Sequence, residues 1–149
     1  MKNPAKVARC IESLKNNCNL PVTIKHRIGV DNHDSFVNLN NFVRIIANAG
    51  ADRFTVHARK AILKGLNPKQ NRTIPPLNYD VVKKLKKSNQ ELLIEINGGL
   101  TNIDQSLKAL NDFDGVMIGR SIYKHPLSCL LYTSPSPRDY AASRMPSSA

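Results

Sequence analysis

The sequence has no tryptophan and only four tyrosines and four phenylalanines. That scarcity argues against an aromatic platform on which single-stranded bases would stack. Cysteine is nearly as rare, with Cys10, Cys18 and Cys129 alone. No CxxC pair and no Cys/His spacing suits zinc, so no metal site is expected. Few, scattered thiols fit a reducing compartment, and a cytoplasmic protein is expected. No apolar run approaches the ~20 residues of a membrane span. The opening MKNPAKVARC enters a helical pattern directly, without the apolar segment of a signal peptide. Acidic residues are the last shortage: 11 Asp and Glu stand against 22 Lys and Arg, a formal charge of +11. Such an excess favours a polyanionic partner, nucleic acid above all, although charge alone also describes a merely basic soluble protein.

What is present is organised around residues 92–120, LLIEINGGLTNIDQSLKALNDFDGVMIGR. Two short apolar runs, Leu92–Ile96 and Val116–Ile118, each end in a turn: Asn97-Gly98-Gly99 and Gly119-Arg120. Between them Ile103, Leu107 and Leu110 recur at helical spacing. Strand, glycine turn, helix, strand, glycine turn is the pattern of a βαβ unit. Glycines at a strand's carboxyl end let backbone N–H groups approach an anion. Arg120 adds a planar, permanently charged fork suited to phosphate. A phosphate site is one reading; tight turns without a ligand are the other.

The rest of the chain, 149 residues and nominally one domain, repeats the pattern. Residues Asn3–Asn17 read as a helix with Pro4 in its first turn, Val7, Ile11 and Leu14 on one face, and Cys10 bordering it as a core thiol. A strand, Pro21–Ile24, runs into Lys25-His26-Arg27; a lysine at a buried strand end is costly unless it meets an anion or electron-rich ligand. Asp34 or Ser35 caps a helix to Ala49, with Phe36, Leu39, Val43 and Ile46 inward and Gly50 as its stop. The strand Phe54–Val56 leads to His57, at the same point of its unit as Lys25 and Asn97. The connection Ala58–Tyr79 is long, and loops beyond ~12–15 residues are usually functional. It carries Arg59, Lys60, Lys64, Lys69 and Arg72 and no acid, as a grip on a nucleic acid backbone would. A short helix, Asp80–Lys87, buries Val81, Val82 and Leu85; Thr101 caps the next helix; a last helix starts at Ser121 and breaks near Pro126. Strands starting near Pro21, Arg53, Leu92 and Gly115 are spaced like the units of a (β/α)8 TIM barrel, about four of the eight.

After Leu127 the composition changes. Cys129–Asp139, CLLYTSPSPRD, can be encoded by a run resembling a transposase-type sequencing-library adapter. Ser143–Ala149, SRMPSSA, can be encoded by a run resembling the flow-cell end of the same adapter, with Tyr140-Ala141-Ala142 as index bases between. Residues 128–149 are therefore expected to be a disordered adapter translation and are set aside from functional reasoning.

The motifs IKHRIG (Ile24–Gly29), VHARKAILKGLNPKQNR (Val56–Arg72), IPPLNYDVV (Ile74–Val82), INGG (Ile96–Gly99) and DGVMIGR (Asp114–Arg120) carry a family resemblance. Residues 1–127 resemble the carboxyl-terminal half of the catalytic barrel of tRNA-dihydrouridine synthases, A subfamily. The resemblance implies an FMN-binding TIM barrel whose flavin is reduced by NADPH. The reduced flavin gives a hydride to C6 of a tRNA uracil, and a cysteine protonates C5, at uridine 20/20a of the D-loop. It implies that Lys25 and His57 contact the flavin ring, and that Asn97, Gly98, Gly99, Gly119 and Arg120 hold its phosphate. It implies that Arg59, Lys60 and Lys64 face the tRNA. The catalytic cysteine is expected upstream of Met1, since neither Cys10 nor Cys18 sits in the family's motif, so the chain is expected to be an inactive fragment of a monomeric enzyme. A different FMN barrel oxidoreductase acting on a small molecule, or a non-catalytic basic RNA-binding piece, are the alternatives.

Overall fold

A computed structural model describes residues 1–127. Residues 128–149, the expected adapter-derived tail, lie outside the described residues. The elements alternate: α1 (Pro4–Asn17), β1 (Thr23–Arg27), α2 (Phe36–Asn48), β2 (Arg53–His57), α3 (Tyr79–Ser88), β3 (Ile94–Asn97), α4 (Ile103–Ala109), β4 (Gly115–Met117) and α5 (Arg120–Lys124). A single 3-10 turn, Gln70–Arg72, interrupts the long connection after β2. The four strands form one parallel sheet in the order β1-β2-β3-β4. Parallel neighbours in sequence order, joined by helices, make this α/β chain part of a TIM barrel, with half of its eight strands.

Local chemistry accounts for the helix starts. Asn3, Ser35, Asn78 and Asn102 each accept from a backbone amide three residues on, as N-caps do. Ser35 is thus the cap of α2, and Asn102, not the expected Thr101, caps α4. Gly50 stops α2 at a φ of +99°, a conformation that favours glycine.

The strands alternate two faces. Phe54, Val56, Ile94 and Ile96 are fully buried beneath Leu39, Val43 and Ile46 of α2 and Val82 and Leu85 of α3. The other face is polar. In register it carries Thr23 beside Arg53, then Lys25, Thr55, Glu95 and Gly115, then Arg27, His57, Asn97 and Met117. Glu95 accepts from Arg53 Nη1 and Thr55 Oγ1, both at 2.8 Å. Gly115 leaves room for that carboxylate: a Cβ there would sit 2.9 Å from Glu95 Cγ.

Several expectations need correction. The first strand runs Thr23–Arg27 rather than Pro21–Ile24, because its charged residues belong to the polar inner face rather than to a following loop. The third begins at Ile94, not Leu92. Cys10 is exposed, since the buried stripe of α1 passes through Ala8 and Ile11, and Leu14 is exposed with it. On α4 the expected apolar face is the open one: Leu107 and Leu110 are 53% and 45% exposed, and Ser106 is buried instead. Val81 is only half-buried.

Among the described residues, β1 and β4 each pair on one side only. Unpaired edges and open apolar positions leave a parallel sheet poorly supported. The isolated chain is therefore expected to melt broadly and at low temperature; a sharp, cooperative calorimetric transition of the monomer would contradict this.

Candidate functional site

The carboxyl ends of the four strands surround one cavity of about 870 Å³. Its walls include Lys25 from β1, His57 from β2, Asn97-Gly98-Gly99 after β3 and Gly119-Arg120 after β4. All seven residues singled out from the sequence for a cofactor thus come together, though they span nearly a hundred positions. The parallel register accounts for it: Arg27, His57, Asn97 and Met117 lie side by side across the sheet, so the loops that follow open at one level.

Each wall is held from behind. Gly98 and Gly99 have φ values of +103° and +76°, which turn the chain sharply at the strand end. The turn rests on the residues before and at the start of α3. Leu77 packs against both glycines, and the Tyr79 hydroxyl donates to the Gly98 carbonyl. Burial raises the pKa of that hydroxyl, so it stays protonated as a donor. Asn97 is buried, and its Nδ2 donates to Met117 O at 2.7 Å, bracing the ends of β3 and β4. The Ser121 hydroxyl donates to Thr101 O and ties the second turn to the first. Tyr79, Leu77 and Ser121 escaped sequence reasoning because their role is to support backbone, which leaves no motif of its own.

The electrostatics are positive throughout. Lys25 has its pKa lowered, first by loss of solvent and then by Arg27. His57 falls to about 4, chiefly by burial and then through Arg27, Lys25, Arg59 and Arg120. At neutral pH it is therefore an uncharged ring within a ring of cations. Its Nδ1 is buried without a hydrogen-bond partner, while its Cε1–Nε2 edge lies against Gly98. Cationic walls with no carboxylate among the lining residues are what an anionic ligand would offset. Arg72 and Lys124 also line the cavity.

The three residues expected to face RNA are distributed differently. The Arg59 guanidinium donates to Thr73 O at 3.2 Å and to Pro75 O. Lys60 pairs with Asp34 at 2.8 Å. Lys64 is exposed in the loop. None of the three lines the cavity. Neither Cys10 nor Cys18 does so either, so among the described residues no thiol faces it.

The sequence profile of dihydrouridine synthase (Dus) matches residues 1–146. Curated relatives named tRNA-dihydrouridine(20/20a) synthase are similar to this chain. One from Synechocystis sp. is 54% identical over 126 residues, which is 85% of this chain and 38% of the relative. Another from Pseudomonas syringae pv. tomato is 49% identical over the same shares of each. A third, from Shewanella oneidensis, is 46% identical, again over 85% of this chain and 38% of its own length. The chain thus spans less than two fifths of the length of these relatives.

Proposed function

Because this chain belongs to the dihydrouridine synthase family, we propose that its cavity is the flavin site of an enzyme that reduces uridine to dihydrouridine in tRNA. On this reading the chain supplies the second half of the barrel, FMN is the cofactor, NADPH the reductant, and uridine 20/20a of the D-loop the target. The complete enzyme works as a cytoplasmic monomer, and residues 128–149 are adapter-derived. The observation that carries the reading is the convergence of Lys25, His57, Asn97, Gly98, Gly99, Gly119 and Arg120 on one cavity.

The residues fit FMN on three counts. The volume falls within the ~300–1,000 Å³ of ordinary cofactor pockets. The cavity offers a two-glycine turn and Arg120, the chemistry of a phosphate site. It also offers Lys25 and, beside Gly98, the uncharged His57 ring. FMN, when bound, supplies hydride transfer. Lys25 would place positive charge beside the electron-rich part of the ring. His57, neutral at pH 7, would donate or accept a hydrogen bond without adding charge. Gly98, Gly99, Gly119 and Arg120 would hold the phosphate, while Asn97 keeps the two turns at a fixed separation. The family's proton-donating cysteine has no counterpart in Cys10 or Cys18.

Removing Arg120 tests the assignment. A charge-assisted hydrogen bond contributes about 1.5–3 kcal/mol, roughly a 10- to 100-fold change in affinity. Arg120→Ala is expected to weaken FMN binding by that factor and leave the far-ultraviolet circular dichroism unchanged. Unaltered flavin affinity in a fluorescence titration would remove Arg120 from the site. A wild-type enzyme that purifies colourless and takes up no FMN would end the reading as a whole.

A further inference from the structure

The connection between β2 and α3 is long, basic and without acidic residues, yet it is tied down at many points. Arg27 Nη1, at the end of β1, donates to Lys60 O at 3.0 Å and to Asn71 O at 2.9 Å. Asn71 in turn grips the opposite limb: its Nδ2 donates to Ile62 O at 2.7 Å and its Oδ1 accepts from Ile62 N at 2.8 Å. Asp31 accepts from Leu63 N at 2.8 Å, and its own amide donates to Ala61 O at 2.7 Å. Arg59 closes the far limb on Thr73 and Pro75. Two cations that the sequence offers to a ligand, Arg27 and Arg59, are thus spent on the loop's own carbonyls, and Lys60 is spent on Asp34. The exposed cations left on the loop are Lys64, Lys69 and Arg72, and of these Arg72 lines the cavity while Lys64 and Lys69 do not.

We propose that Arg27 and Asn71 clamp residues 58–78 into a rigid platform, and that this platform presents Lys64 and Lys69 to the phosphate backbone of the RNA substrate. The inference rests on the tRNA reading for its partner and on geometry alone for its clamp. Rigidity matters because a loop ordered before binding loses no conformational entropy when RNA arrives. Arg59 and Lys60 then act as struts, and their contribution to RNA binding is indirect.

Hydrogen exchange on the complete enzyme without RNA tests the clamp. The amides of Ile62 and Leu63 are expected to be protected in the wild type. Arg27→Met and, independently, Asn71→Ala are expected to speed their exchange by about ten-fold or more, with the peptides of β2 and β3 unchanged. Unchanged exchange of Ile62 and Leu63 in both variants overturns the clamp. The platform is tested by tRNA binding across a salt series. The double variant Lys64→Gln/Lys69→Gln is expected to reduce the slope of log affinity against log salt by about 1.4–1.8, two phosphate contacts, while leaving loop exchange intact. An unchanged slope overturns the assignment of those two lysines. A wild-type enzyme with no affinity for tRNA would instead defeat the functional reading, and the exchange result would still decide the clamp.

Discussion

Gly98→Ala is expected to weaken flavin binding by about 100-fold or more. The φ of +103° at this position is one that L side chains rarely adopt, and strain of this kind costs on the order of 1–3 kcal/mol. An added Cβ would also stand 3.1 Å from both Cε1 and Nε2 of His57. The ring or the turn must therefore give by a few tenths of an ångström. Relaxation therefore displaces either the glycine turn, which presents backbone amides, or the imidazole. Both belong to the site, so the two losses combine into a fall of affinity of about 100-fold or more, equivalent to ~3 kcal/mol. Flavin fluorescence measures it, and circular dichroism checks that the barrel remains folded. Affinity within a factor of about three of wild type would show that the turn does not touch the cofactor.

Acid is expected to unfold the protein through His26. The ring is enclosed by Phe42 and Phe54, with centroids 5.1 Å and 6.4 Å away in edge-on contact. Its Nδ1 hydrogen-bonds Arg27 O at 2.8 Å, and its Nε2 is buried without a partner. Burial chiefly, with smaller contributions from nearby positive charge, lowers its pKa to about 4. Since this folded value lies below the ~6.5 of an unfolded chain, the unfolded state binds more protons between the two. The contribution is fully present above pH ~6.5, falls as pH drops through that window, and is gone below about 4. The full excursion is worth about 3 kcal/mol. His57 acts in the same direction, discounted because it is partly exposed. His26→Phe keeps a ring against Phe42 and Phe54 but has nothing to protonate. Its urea midpoint is expected to depend less on pH between neutrality and ~4 than that of the wild type. An identical pH profile would show that His26 does not carry the acid sensitivity.

The readable parts of this chain were those in which one residue's chemistry decides the local backbone. Asn97-Gly98-Gly99 and Gly119-Arg120 marked two of the strand ends, and Gly50 marked a helix stop. The order of strands and helices followed from such punctuation. What could not be read was side-chain commitment. Arg59 and Lys60 look like free cations in sequence, but their partners, Thr73, Pro75 and Asp34, are fixed only by the folded loop. Arg27 is the same case: two residues after Lys25 on the same strand face, it serves the loop's carbonyls. The apolar stripe on α4 misled for a different reason. Helical spacing shows that Leu107 and Leu110 share a face, but says nothing about what lies opposite it. The strand limits shifted because β1 carries charge on one face, and a search for apolar runs stops at the first lysine.

The charged inner face of the sheet bears on how such a barrel can arise. Eight-stranded barrels invite descent from a doubled half, with β4 of one copy zipped to β1 of the other. Here each copy would bring Lys25, Arg27 and Arg53 to the inner face against Glu95 alone. Glu95 already holds Arg53 and the loop carbonyls hold Arg27. Doubling would therefore leave Lys25 of each copy as the charge that a bound anion or the facing strands have to offset.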